Sequence, residues 1–128
     1  MKYLTLEQLL ELHVLAVRQG GGSEGIRDIG RLESAVASQT QFVFGEELYN
    51  SVFEKAAALA RGIIGDHPFI DGNKRTAMLS SLTLLEINGY KFVAKKGEVE
   101  DFAVHIAVKN PGIGEIAAWY RRYSKKLK

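Results

Sequence analysis

The 128-residue chain has no cysteine, only two prolines, and no apolar run reaching the roughly 18 residues of a membrane span. The first absence excludes a disulfide framework and thiolate metal sites, and fits a reducing compartment. The second leaves long stretches free to be helical. The third removes a membrane-spanning role. Charge of one sign is also scarce: the net value is +2, too small to mark a nucleic-acid binder, so direct nucleic-acid binding is not expected. The N-terminal "MKYLTLEQLLELH" interrupts its apolar pattern with Glu7 and Glu11, unlike a secretory signal. A cytoplasmic location is the expectation, with no membrane partner.

What is present is apolar content of 46%, in a length that suits one domain over residues 1–128. A domain this long buries roughly two-thirds of its unfolded surface, so it needs no metal staple. Apolar residues recur at helical spacing, which predicts an all-α fold, a bundle of about six helices. Thr5 to Gln8 reads as a capping box before Leu6, Leu9, Leu10, Leu12 and Val17, and Gly20, Gly21 and Gly22 stop that helix. Asp28 caps a second helix to about Gln39. Ser51 to Glu54 is another capping box, opening a third to about Gly65. The fourth runs from near Asn73 to Asn88 and Gly89, followed by an extended piece over Lys91 to Ala94. A fifth spans about Glu98 to Val108, and a sixth about Gly114 to Lys126.

The stretch "HPFIDGNKR", His67 to Arg75, is crowded with polar groups at the start of the fourth helix. The first N–H groups of a helix have no internal partner and carry partial positive charge. A cation there is disfavoured by up to about 1 kcal/mol, yet Lys74 and Arg75 both sit in the first turn. A bound anion offsets both and uses the free N–H groups of Gly72, Asn73 and Lys74, as phosphates do at helix N-termini. Gly72 allows the backbone to approach a ligand closely. Asp71 suits Mg²⁺, which is commonly held by one or two carboxylates plus phosphate oxygens. His67 is the residue type that exchanges protons near neutral pH, and is the candidate general base. Phe69 reads as a buried anchor. Taken singly, each residue has an ordinary structural explanation; in this order they point to phosphate transfer to a hydroxyl.

The same stretch resembles the signature of the Fic/Doc superfamily, broadly H-x-F-x-D/E-x-N-x-R, and "GIRDIGRLESAVA" (Gly25 to Ala37) resembles the upstream block of Doc-type proteins. The resemblance covers nearly the whole chain. It implies a compact helical bundle, ATP and Mg²⁺ as cofactors, and transfer to a hydroxyl of a target protein. It implies that His67 is the base, that Asp71 holds Mg²⁺, and that Gly72, Asn73, Lys74 and Arg75 bind the nucleotide phosphates. In the adenylylating Fic pattern a glycine follows the asparagine and a second arginine lies three residues after the first. Here those positions hold Lys74 and Met78, as in the Doc branch, which is associated with γ-phosphate transfer. Gly72 matches the adenylylating branch instead. By this resemblance the substrate is a translation factor, such as elongation factor Tu. Fic proteins restrained within one chain carry an [S/T]-x-x-x-E-[G/N] segment, which is absent here, so restraint is expected from a separate Phd-like antitoxin. The alternatives are an adenylyltransferase and a non-catalytic binding module.

Other features carry less. Gly20, Gly22 and Gly25 match G-x-G-x-x-G but follow a helix rather than a strand, so a turn is the expectation. His13 and His105 lack a metal-ligand partner at i+4 and read as packing residues. Arg27 and Asp28 read as a local ion pair plus cap, with a role at the site's rim as the alternative. The basic tail "WYRRYSKKLK" reads as a solvated last helical turn, or as a contact for an acidic partner segment.

Overall fold

The computed structural model describes residues 1–127, and they form the expected helical bundle. Six α-helices are present: α1 (Leu6–Gly20), α2 (Ile29–Ala37), α3 (Val52–Asp66), α4 (Asn73–Ile87), α5 (Lys96–Lys109) and α6 (Ile113–Arg122). Thr5 and Gln8 form the full capping box of α1, with bonds of 3.1 and 2.9 Å. Asp28 caps α2 by accepting from Arg31 N–H at 3.1 Å. Ser51 caps α3 by accepting from Glu54 N–H, but Glu54 answers the Ser51 hydroxyl rather than its N–H, so only half of the box forms.

Helix α3 is the axis of the bundle. Its Ala56, Ala57 and Ala60 are fully buried, and these short side chains let α4 and α6 pack closely on either side. Leu59, Ile63, Leu84, Leu85 and Ile116 fill the space between them. Full burial of one such aliphatic side chain contributes about 1.5–3 kcal/mol. Tyr120 of α6 is also fully buried, and its hydroxyl bonds the Ser81 hydroxyl of α4. Burial pushes that phenol well above the ordinary tyrosine range, so it stays protonated.

Two short antiparallel strand pairs complete the chain. Strands β1 (Phe42–Val43) and β2 (Glu46–Glu47) were not legible as strands, being two residues each. Their base is held by the buried Lys55 of α3, whose ammonium donates to the Gln39 carbonyl at 2.6 Å and lies 3.4 Å from the Glu47 carboxylate. Strand β3 (Tyr90–Phe92) meets the expected extended piece. Its partner corrects the expectation for the tail: α6 stops at Arg122, and Ser124–Lys126 form β4, in register Tyr90↔Lys126, Lys91↔Lys125 and Phe92↔Ser124. The physical reason is aromatic packing, since Phe92 touches the rings of Trp119, Tyr120 and Tyr123 and draws the chain back to β3. Lys128 lies outside the described residues.

Candidate active site

Helix α3 ends at His67, whose φ of 49° and ψ of 58° place it in the left-handed region. Glycine or asparagine is the usual choice there, and a histidine costs of order 1 kcal/mol or more. The turn this creates leaves the imidazole exposed and, among the described residues, without a hydrogen-bonding partner. The cation at this helix end is Arg27. Its Nε donates to the His67 carbonyl and its Nη2 to the Asp66 carbonyl, both at 2.7 Å. Arg27 therefore does not pair with Asp28, which instead meets Arg31 at 3.2 Å. Two C-terminal carbonyls of α3 offer a planar guanidinium a better partner than the neighbouring carboxylate, already engaged as a cap.

From Pro68 to Gly72 the loop is clamped from three sides. Phe69 is fully buried. Both of its backbone groups bond the Asn73 side chain, N–H to Oδ1 and O to Nδ2, each at 3.0 Å. Across from it runs the segment Gly22 to Asp28. Ile70 N–H donates to the Gly25 carbonyl at 3.0 Å, and Arg27 and Asp28 N–H donate to the Pro68 carbonyl at 2.7 and 3.0 Å. An isolated bridge joins Ile26 to Phe69. The third side is His13 of α1, stacked on the Phe69 ring with centroids 3.8 Å apart.

The glycine-rich stretch is thus more than a turn: it is the wall of the motif loop. Ser23 N–H donates to Asp71 Oδ2 at 3.0 Å, fixing that carboxylate from outside the motif. A Cβ on Gly22 would meet the Asp71 side chain at 3.2 Å, and one on Gly20 would land on the Arg75 guanidinium. Asp71 and Arg75 thus pack close against the backbone of Gly22 and Gly20. Spacing alone hides this, since it identifies glycines without saying what approaches them.

Helix α4 begins with Gly72 at φ 74°, and no side chain caps it. Its first N–H groups are therefore available to a ligand. Lys74 and Arg75 are exposed beside them. Both also border a groove of about 390 Å³ between α4 and α5, whose floor includes Met78, Leu82, Val99 and Ala103. Met78 is 4% exposed and its sulfur lies 3.9 Å from the Tyr120 hydroxyl. The position that holds an arginine in the adenylylating pattern is here part of the core.

The structure thus gathers His67, Asp71, Gly72, Lys74 and Arg75 around one braced loop and helix start, while the Asn73 side chain faces inward and leaves only its N–H outward. His105 stands apart from them, its Nε2 2.8 Å from Glu115 of α6. No cluster of three or more His, Asp or Glu able to enclose a metal occurs among the described residues. Asp71 as a single carboxylate fits an ion whose other ligands are nucleotide oxygens and water. The arrangement sets an exposed imidazole, an uncapped helix start with two cations and a hydrogen-bonded carboxylate in one short stretch. No helix among the described residues is long and apolar enough to cross a membrane.

A helical bundle bearing this motif loop at a helix start has clear relatives. The model of the Fic/DOC family matches residues 3–85, which run from before α1 into the last turn of α4. Toxin Doc of Mycolicibacterium smegmatis is 35% identical over 119 residues, covering 91% of this chain and 89% of that protein. Protein kinase doc of Escherichia phage P1 is 32% identical over 122 residues, covering 95% of each. The chain belongs to the Fic/Doc family.

Proposed function

We propose that this protein is a Doc-type toxin that transfers the γ-phosphate of ATP to a hydroxyl side chain of a protein target. The observation that carries the reading is the junction of α3 and α4. There the exposed His67, the braced Asp71 and the uncapped helix start with Lys74 and Arg75 share one loop. The names of the two relatives, matched over about nine-tenths or more of each chain, support the same branch. So does Met78: with a buried thioether where a second arginine would stand, the loop lacks the clamp of the adenylylating pattern.

In this reading ATP·Mg²⁺ supplies the phosphoryl group and screens its charge. The N–H groups of Gly72, Asn73 and Lys74 bind phosphate oxygens at the positive end of α4. Lys74 and Arg75 add charge-assisted hydrogen bonds. Asp71 holds the magnesium. His67 takes the proton from the target hydroxyl, and its exposure on a left-handed turn lets a macromolecular substrate reach it. The target is a translation factor, of which elongation factor Tu is the first to test. A Phd-like antitoxin restrains the enzyme by covering the groove between α4 and α5 that Lys74 and Arg75 border.

The test is to incubate the protein with a bacterial extract and ATP labelled at the α or the γ position. Label on a protein from γ-labelled ATP alone supports phosphorylation. Label from the α position assigns adenylyl transfer, the reading that Gly72 favours, and no label from either assigns a binding module.

A further inference from the structure

One buried polar group near the motif is used by none of these steps. His13 is 2% exposed, lies on α1, and is sixty-three residues from its main side-chain partner, Thr76. Its ring meets three segments around the motif loop. It stacks on Phe69 with planes 9° apart. Its Nε2 accepts from Gly25 N–H at 3.3 Å, and its Nδ1 lies 3.1 Å from Thr76 Oγ1 in the first turns of α4. Because a backbone N–H can only donate, Nε2 carries no proton. The neutral ring then has its proton on Nδ1, which donates to Thr76 Oγ1. Burial, opposed by the Glu24 carboxylate, lowers the imidazole below its ordinary value and favours this neutral form.

The tautomer matters because Gly25 is itself a partner of the motif: its carbonyl accepts from Ile70 N–H. With the proton on Nε2, the ring would turn a donor toward the donor of Gly25, and the arm holding Ile70 would move away. Gly25 N–H thus selects the Nδ1-protonated tautomer, Thr76 receives that proton and holds the ring's angle, and Gly25 in turn holds the loop between His67 and Asp71. We propose that His13, held between Gly25 N–H and Thr76 Oγ1, is a positioning residue that keeps the motif loop in its reactive geometry without touching substrate. The proposal rests on the phosphotransferase reading for its activity readout alone.

The test uses the full chain with Thr76→Val, Thr76→Ser and His13→Phe, assayed for γ-phosphate transfer at saturating ATP, with ATP affinity and imidazole ¹⁵N shifts measured alongside. In the wild type the shifts should show the Nδ1-protonated tautomer. Thr76→Val leaves the Nδ1 proton without an acceptor, and should turn the ring, move the Gly25 and Ile70 amide resonances, and lower kcat at least about tenfold, with ATP affinity changed less than about threefold. Thr76→Ser should restore all three. His13→Phe keeps the stack but not the bonds, and should stay slow while folded. Wild-type kcat in folded His13→Phe, or in Thr76→Val, would reduce the histidine to packing and overturn the proposal. If the wild type transfers no γ-phosphate, the proposed function fails separately, and unmoved Gly25 and Ile70 resonances in Thr76→Val would still overturn the positioning role.

Discussion

The side chain of Asn73 closes both backbone groups of Phe69, accepting from its N–H and donating to its carbonyl at 3.0 Å each. All the atoms involved are buried, with Phe69 at 0% and Asn73 at 8% exposure. An amide offers a donor and an acceptor at this spacing at any pH at which the protein is folded. The asparagine thus acts first on the loop, and only its backbone faces a ligand.

Asn73→Ala should therefore destabilise the protein by about 2–4 kcal/mol, since two buried groups lose their partners. Asn73→Asp keeps the acceptor but sets a carboxylate against the Phe69 carbonyl, and should be no better. Denaturant unfolding measures both. A loss below about 0.5 kcal/mol in the alanine variant would mean that water replaces the clasp.

His67 must be tested without disturbing its left-handed turn. Asparagine tolerates that conformation better than alanine. His67→Asn should abolish transfer to the target while keeping the unfolding midpoint and ATP affinity close to wild type. Retained transfer would remove His67 as the base; lost ATP binding would assign it to the phosphates instead.

Much of this was readable from the chain because helix caps and the motif are local. Thr5, Asp28 and Ser51 mark their helices within a few residues, and the order from His67 to Arg75 marks the family motif by itself. What stayed hidden depends on distant partners. Arg27 sits next to Asp28 in sequence but finds better acceptors at Asp66 and His67. His13 looked like packing because Gly25 and Thr76, its partners, lie in other elements. The tail continued a helical pattern until Phe92 and the Trp119, Tyr120 and Tyr123 rings turned it into a strand. Cutting after Tyr120 would therefore remove β4 and Tyr123 along with the basic charge. Charge reversal at Lys125 is the cleaner probe of an acidic partner.

Gly20 offers a test of Arg75 that leaves Arg75 in place. The last residue of α1 is favourable for alanine as a helix former, by up to about 1 kcal/mol. Its new methyl would occupy the space of the Arg75 guanidinium. Gly20→Ala should thus keep or raise thermal stability while weakening ATP binding several-fold, in the direction of Arg75→Ala. Unchanged ATP affinity would show that the guanidinium binds phosphate from another rotamer.

Asp71→Ala should remove the magnesium dependence of ATP affinity, read by titrating ATP with and without the ion. Ser23 N–H loses its acceptor in that variant, so Asp71→Asn is the control that keeps it. An asparagine variant with full magnesium dependence would leave Asp71 as a loop brace alone.

The buried His13 makes a prediction about acid. Its folded-state value lies below the ordinary imidazole value of 6.5. Between those two values the unfolded chain holds a proton that the folded chain does not. Stability must therefore rise with pH across that window, and fall as pH drops below about 6.5, with a slope of at most about 1.4 kcal/mol per pH unit. Below the folded value the slope from this group ends. His13→Gln can still accept from Gly25 but cannot titrate, so its stability should lose this part of the pH dependence. Glu24 pulls the other way, so Glu24→Gln should lower the His13 value further and widen the window on its acid side. Urea unfolding of the three proteins from pH 7.5 down to pH 5 measures the slopes. Parallel curves for wild type and His13→Gln would mean that the ring gains its proton in place, with Gly25 finding another acceptor.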